Sequence, residues 1–270
     1  MEKTMANADS FYTIGHGHKV CQDYALSFNT YENNPAIVVC DGCSSAKNSE
    51  VGAAILAHTM KKWSRTTSAD NRSSAMMYCR DVVKNISAEL ELPSESFFST
   101  VMYAEYEKGD GFYVDSFGDG VIIGIRKDGG ITYTTREFKS GAPFYMAYLF
   151  DKETEKSYSQ TFGTESIITT HTITEKGEDF NPFISNQFSI FRSWFSTLFS
   201  ESDYDAVILC TDGILSFQPE LSTASIARNL TEFKNKNGQF IERRLKRFLS
   251  TMNETGFKHF DDIGVGGITL

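Results

Sequence analysis

Two short stretches of the chain carry no polar residue: AIVVC at 36–40 and AVILC at 206–210. Each is followed closely by an acid and a glycine, Asp41-Gly42 in the first case and Asp212-Gly213 after one threonine in the second. Apolar runs of this length, stopped by turn residues, predict strands covered on both faces. Between 97 and 135 the pattern changes to alternation. FFSTVMYAEYE, GFYVDSF, VIIGIRK and ITYTT are separated by GDG at 109–111, GDG at 118–120 and DGG at 128–130. This predicts an antiparallel meander.

Helical spacing predicts the other layers. The segment NSEVGAAILAHTMKKW (48–63) reads as a helix capped by Asn48 or Ser49, with Val51, Ile55 and His58-Thr59 on one face. A second helix is expected over about 70–91, and two more at about 219–234 and 238–254, split by Asn237-Gly238. In FRSWFSTLF, residues Phe191, Trp194, Phe195, Leu198 and Phe199 fall on one helical face and read as a core-facing aromatic stripe. The stretch 141–186 is polar and weakly patterned, with one strand expected at SIITTHTI (166–173). The last strand is IGVGGITL (263–270). Meanders and helix pairs in separate blocks predict α+β layers, not an alternating βαβ sheet.

Composition narrows the function classes. With 270 residues, 40% hydrophobic and 23% charged, the chain has the make-up of a globular protein. We expect an N-terminal extension over 1–10 and a single domain over 11–270, because no Pro/Gly/Ser linker or repeat marks a boundary. The formal net charge of −9 and the lack of a Lys/Arg block argue against nucleic acid as a partner. MEKTMANADSF lacks the apolar core of a signal peptide, and no run of about 18 apolar residues occurs, so no membrane association and a cytoplasmic location are expected. The five cysteines (21, 40, 43, 79 and 210) then read as reduced thiols. Cys40-x-x-Cys43 lacks the second pair that a zinc site needs, and Cys40 closes an apolar strand, where cysteine acts as a small hydrophobe.

The candidate chemistry lies at strand ends. Asp41 and Asp212 follow their apolar runs, Asp119 sits in SFGDGV, and Asp261-Asp262 open the last strand in HFDDIGVGG. If the strands are neighbours, these carboxylates meet at one rim, where mutual repulsion resists ionisation unless a cation neutralises them. All-oxygen ligands suit Mg²⁺ or Mn²⁺ better than zinc. Asp-Gly after a strand is also ordinary turn chemistry, and the pattern alone leaves both readings open.

Order and spacing add a resemblance. GHGHKVCQDYA, VVCDGCSSAKNSEVGA, VDSFGDGVIIGI, VILCTDGI and FDDIGVGGITL occur in the order found in the metal-dependent serine/threonine protein phosphatases of type 2C. The chain resembles that family, its divergent bacterial branch in particular, from about residue 11 to 270. The resemblance implies a four-layer α-β-β-α sandwich with two central antiparallel sheets and a two-metal centre at one rim. It implies that Asp41 bridges two Mn²⁺ or Mg²⁺ ions, that the Gly42 carbonyl binds one, and that Asp212 and Asp261 hold the second. Asp119 matches an aspartate that in many members helps bind a third, weaker ion, and Asp23 orients metal-held waters. A metal-bridging water would attack the phosphorus of phosphoserine or phosphothreonine directly, so Cys21 and Cys43 are not nucleophiles. The implied partners are a phosphorylated protein and a cognate Ser/Thr kinase.

The chain departs from the family at three positions. Gln22 stands where a metal-binding glutamate is usual, and it is carried here as a weaker metal or water contact. His18, beside His16 and Lys19, stands where an arginine usually grips the phosphate. Cys43 stands where many members have histidine. His18 and Cys43 are therefore the expected phosphate contacts, with His18 counted as catalytic. Asp262 lies where asparagine is common, and a strand-opening cap is its expected role. A pseudophosphatase, using the same fold as a binding module, is the alternative these departures raise. The polar 141–186 stretch sits where relatives carry a flap beside the site and is the expected source of substrate choice.

Overall fold

The all-apolar strands are apolar because neither face meets water. In the computed structural model, which describes residues 6–67, 74–163, 165–174, 177–186 and 194–270, fourteen strands and five α-helices follow one another in blocks along the described chain. They are β1 (Asn7–Thr13), β2 (Tyr24–Asn29), β3 (Pro35–Cys40), α1 (Ser49–Ser64), α2 (Ala75–Glu89), β4 (Val101–Glu107), β5 (Gly111–Phe117), β6 (Gly120–Arg126) and β7 (Ile131–Phe138). There follow α3 (Lys152–Phe162), β8 (Glu165–Thr174), β9 (Gly177–Asn186), β10 (Trp194–Ser200), β11 (Tyr204–Cys210), β12 (Phe217–Gln218), α4 (Thr223–Thr231), α5 (Phe240–Glu254), β13 (Lys258–His259) and β14 (Ile263–Thr269). One antiparallel sheet has the order β1-β14-β11-β6-β7-β8-β9 and the other β10-β5-β4-β3-β2. No helix among the described residues is long and apolar enough to cross a membrane.

The sheets stack between helices, and strand periodicity divides the core accordingly. In β3, Ala36, Val38 and Cys40 face α1 and α2 with Ala53, Leu56, Met60 and Val83. Ile37 and Val39, pointing the other way, join Met102, Ala104, Val114, Val207, Leu209 and Ile268 in the layer between the sheets. In β11, Val207 and Leu209 face that middle layer, while Ile208 and Cys210 meet Ile226, Phe240, Leu245 and Phe248 of α4 and α5. Antiparallel sheets often leave one face to solvent. Covering the outer face of each sheet with helices and the inner face with the other sheet produces the expected α-β-β-α sandwich and explains why AIVVC and AVILC lack alternation.

Several local expectations are corrected. The meander over 97–135 is two hairpins in different sheets: β4 and β5 pair in one, β6 and β7 in the other, and the chain changes sheets at Gly118-Asp119-Gly120. The aromatic stripe is not a helix. Trp194–Ser200 is an edge strand paired with β5 from Trp194↔Phe117 to Ser200↔Gly111, and Phe191 lies outside the described residues. Phe195 and Phe199 pack into the middle layer while Trp194 turns the other way, donating from Nε1 to Asp115 at 2.8 Å. Aromatic and β-branched residues favour strands, and the open edge of β5 supplied the ladder.

Helix α1 forms where expected, but on a different face. Gly52, Ala53, Leu56, Met60 and Trp63 are buried, whereas Val51 and His58 are exposed. A Cβ on Gly52 would lie 1.7 Å from the Ser96 carbonyl oxygen, so close approach to that backbone selects the small-residue face. Asn48 takes the cap position without a side-chain cap bond. The helices expected at 219–234 and 238–254 are the shorter α4 and α5. The polar stretch holds more than the expected strand: α3 precedes β8 and β9 follows it. Strand β1 begins at Asn7, within the segment read as an extension, and pairs with β14 from Asn7↔Thr269 to Thr13↔Ile263.

This packing distinguishes two aliphatic residues on one helix. Leu56→Ala, at a fully buried position, should lower the unfolding free energy by about 2–5 kcal/mol. Val51→Ala, at a position 39% exposed, should change it by about 0.5 kcal/mol or less. Urea denaturation of the two variants measures the difference, and equal losses would contradict the assigned face.

Candidate metal centre

Four strand ends deliver acids to one rim. Asp41 leaves β3 with its carbonyl accepting from Thr100 N at 2.9 Å. Gly42 follows in a space that admits no side chain: a Cβ there would lie 2.7 Å from Gln22 O and 2.8 Å from Ser49 O. Asp119 occupies the switch between sheets, flanked by Gly118 and Gly120 at φ of 100° and 133°, a conformation L side chains resist. Asp212 starts the 3₁₀ turn Asp212–Leu215 after β11. Ser216 ties that turn to the start of β14, donating to Gly213 O at 2.7 Å while accepting from Asp261 N at 3.0 Å.

Carboxylate oxygens of Asp41, Asp119 and Asp212 come within 4.8 Å of one another. Among the described residues, Oδ1 of Asp119 is buried without a hydrogen-bond partner, a state that a bound cation would satisfy. Burial pushes Asp41 well above the usual carboxylate range, and Asp212, Asp23, Asp119 and Asp261 add repulsion. Burial, then Asp212, raise Asp119 well above it too, against the pull of Arg136. Although Asp212 reaches solvent at the cavity mouth, protein crowds it closely enough for burial to push its pKa up to about 6, with Asp261 contributing. Three crowded, mutually repelling carboxylates, one with an orphaned oxygen, fit a hard divalent cation held by oxygen ligands.

Asp23 lies behind this cluster. It is buried, accepts from Thr211 Oγ1 at 2.6 Å and shares a hydrogen bond with Asp41. Burial raises its pKa strongly, with Asp212 and Asp262 adding to the effect. Asp261 lines a cavity of about 430 Å³ together with Asp119, Asp212, Arg136 and Ser216. Its Oδ1 is 3.4 Å from His18 Nε2.

The departing positions have distinct surroundings. His18 groups with Asp261 and Asp262, its Nδ1 2.9 Å from Asp262 Oδ2 but not aligned as a hydrogen bond. With Asp261 it also lines a second cavity of about 610 Å³ that shares Leu215 and Ser216 with the first. Buried Asp262 does more than cap a strand: it accepts from Gly15 N at 2.8 Å and Gln22 N at 2.6 Å, and so pins the 15–22 loop against the rim. The Gln22 amide donates to Ser49 Oγ at 3.2 Å and Ser44 O at 3.4 Å, which directs its nitrogen to the loop before α1. The Cys43 thiol is 3.2 Å from Ser45 Oγ and meets the Tyr145 hydroxyl. Cys40 is fully buried, and burial pushes the Cys21 thiol up to about 12, with Asp262 and Asp23 adding to it.

Sequence reasoning missed Thr211, Ser216, Arg136 and Tyr145. Thr211 was visible as the residue before Asp212. Arg136 comes from the middle of a strand pattern with no local mark, yet its buried guanidinium lies beside Asp119, donating at 3.5 Å to Gly118 O and at 3.4 Å to Ser166 Oγ. Burial lowers its pKa to about 10, opposed by Asp119, so it remains a cation at neutral pH.

Comparison with known proteins gives one consistent answer. The family model described as Protein phosphatase 2C matches residues 15–250. The fold is similar to the serine/threonine phosphatase Stp1 from Staphylococcus aureus, with a TM-score of 0.55 and 16% identity over 99% of this chain and 96% of that one. It is also similar to the S. agalactiae serine/threonine phosphatase (TM-score 0.57, 15% identity, 98% and 100% of the chains). The Mycobacterium tuberculosis serine/threonine phosphatase PstP/Ppp gives 0.53 and 13% over 98% of each chain. No curated protein matches significantly in sequence.

The raised carboxylates make metal-free stability depend on pH with a definite sign. The folded pKa of Asp212, about 6, lies above its ordinary value of 3.8, so its ionisation opposes folding. The stability is fully present below 3.8 and is lost as pH rises through about 6. In EDTA, Asp212→Asn should therefore raise the thermal midpoint over wild type by an amount that grows between those pH values. In saturating Mn²⁺ the order should reverse, because wild type gains binding free energy that the variant lacks. Thermal melts across this pH range measure both, and a difference independent of pH and metal would contradict the reading.

Proposed function

The chain belongs to the protein phosphatase 2C family, and from that premise we propose that it hydrolyses phosphoserine and phosphothreonine in a protein substrate with the help of Mn²⁺ or Mg²⁺. The observation that carries the reading is the convergence of Asp41, Asp119 and Asp212 at one rim with an orphaned carboxylate oxygen among them. The structurally similar bacterial serine/threonine phosphatases support the choice of phosphorylated hydroxyl side chains. Residues 11–270 act as one catalytic domain in this reading. A cytoplasmic phosphoprotein and the Ser/Thr kinase that modifies it are the partners.

Asp41, Asp119, Asp212 and Asp261, with the Gly42 carbonyl, would hold two cations, and a third where Asp119 reaches it. When bound, such a pair supplies a water activated for in-line attack on phosphorus and offsets charge on the phosphoryl oxygens. Asp23 keeps Asp41 oriented, itself fixed by the Thr211 hydroxyl. His18, in the larger cavity and beside the Asp261 that lines both, is placed to donate to a phosphate oxygen, as is the thiol of Cys43 two residues after Asp41. Arg136 adds a positive charge that draws the dianionic phosphate towards an otherwise acidic rim. No side chain needs to become phosphorylated: the Cys21 thiol, pushed up to about 12, stays protonated at neutral pH.

Gln22 favours a second reading, a catalytically weak or inactive binding module, since it brings no charge to the centre and its amide nitrogen is engaged elsewhere. Turnover separates the two. Hydrolysis of a phosphothreonine peptide should require Mn²⁺ or Mg²⁺, stop with EDTA and be lost in Asp41→Asn. Asp23→Asn should lower metal affinity or rate by roughly 10–100-fold. A folded protein with no turnover under any divalent metal would favour the binding module.

A further inference from the structure

Beside the turn that carries Asp41, a tyrosine ring is held in a fixed position, and among the described residues its hydroxyl has the weakly accepting Cys43 thiol as partner. Tyr145 immediately precedes the 3₁₀ turn Met146–Leu149, and Met146 N donates to Ser99 O at 3.0 Å. Ser99 is the bridge partner of Gly42, so this backbone is anchored to the residue after Asp41. The Tyr145 ring stacks on Phe98 at 5.4 Å and 11°, and meets Tyr148 at 5.8 Å and 52°. The Phe98 carbonyl accepts from Cys43 N at 2.8 Å, which fixes the Asp41–Cys43 turn and the stacking ring to one another. The ring leads the hydroxyl to the Cys43 thiol and into the field of Asp41 and Asp119.

Resting on the phosphatase reading, we propose that Tyr145 is a further catalytic residue, its hydroxyl donating a hydrogen bond to the phosphoryl group of the substrate. Sulfur is a weak acceptor, whereas a phosphate oxygen is a charged and strong one. A donor on a clamped ring passes from Sγ to a phosphate oxygen at little cost in entropy. The phenol keeps its proton throughout: burial raises its pKa, and the neighbouring thiol and carboxylates oppose forming a phenolate. It therefore acts as a donor, not as nucleophile or base, and transfers nothing.

Tyr145→Phe removes the donor and keeps the ring. In the Mn²⁺-loaded full chain, inorganic phosphate should bind roughly 10-fold or more weakly by calorimetry, and kcat/KM for p-nitrophenyl phosphate should fall roughly 10- to 100-fold. Mn²⁺ affinity and thermal midpoint should match wild type. Unchanged phosphate binding and turnover in the variant, beside an active wild type, would overturn this inference and leave the phosphatase reading standing. Loss accompanied by weaker Mn²⁺ binding or a lower midpoint would make the hydroxyl structural and overturn it as well. A wild type that neither binds phosphate nor turns over would overturn both.

Discussion

Crowded carboxylates at one rim repel one another, and the rest of the molecule holds them together regardless. Asp23, Asp41 and Asp119 are driven well above the normal carboxylate range by burial and by neighbouring acids, and Asp212 is pushed up to about 6. Such a cluster persists only where the scaffold leaves no room to relax. The scaffold here is two sheets clamped between helices, with a shared middle layer of Ile37, Val39, Met102, Val207, Leu209 and Ile268. Each fully buried side chain of this kind contributes about 1.5–3 kcal/mol, and a rim built on many of them can hold several unfavourable contacts. The same repulsion is what a bound divalent cation would relieve.

The outermost parts of the site follow from this frame. Asp262 pins the 15–22 loop, bringing His18 to the rim, and Ser216 locks the Asp212 turn to the start of β14. Arg136 reaches Asp119 from β7, across the point where the chain changes sheets. The proposed phosphate chemistry is therefore no contradiction on an acidic protein. The overall charge of −9 says little about a rim where bound cations would join one buried arginine and a few donors in setting the local field.

Much of this was legible from local pattern. AIVVCDG and AVILCTDG announce both the covered strands and the acids at their ends, and paired glycines announce the turn at Asp119. Long-range packing decided what was not legible. In α1, the spacing of Val51, Ile55 and His58 is repeated by Gly52, Leu56 and Thr59, and only the approach to the Ser96 carbonyl chooses between the two faces. The aromatic spacing at 194–199 fits a helix and a strand alike until the edge of β5 is known. Helix α3 was overlooked because Tyr158 is its one buried residue, although Asp151 caps it through Glu153 N and Thr154 N and Gly163 ends it. Arg136 and Tyr145 carry no local signature, since their roles come from residues far away in the chain.

The most direct test of the central claim is anomalous diffraction, at the manganese edge, from crystals of the protein grown with Mn²⁺. The account predicts at least two peaks within ligand distance of the Asp41, Asp119, Asp212 and Asp261 carboxylates, roughly 3.5–4 Å apart with Asp41 between them. Crystals diffracting well with no anomalous density at that rim, and the carboxylates still clustered, would contradict it.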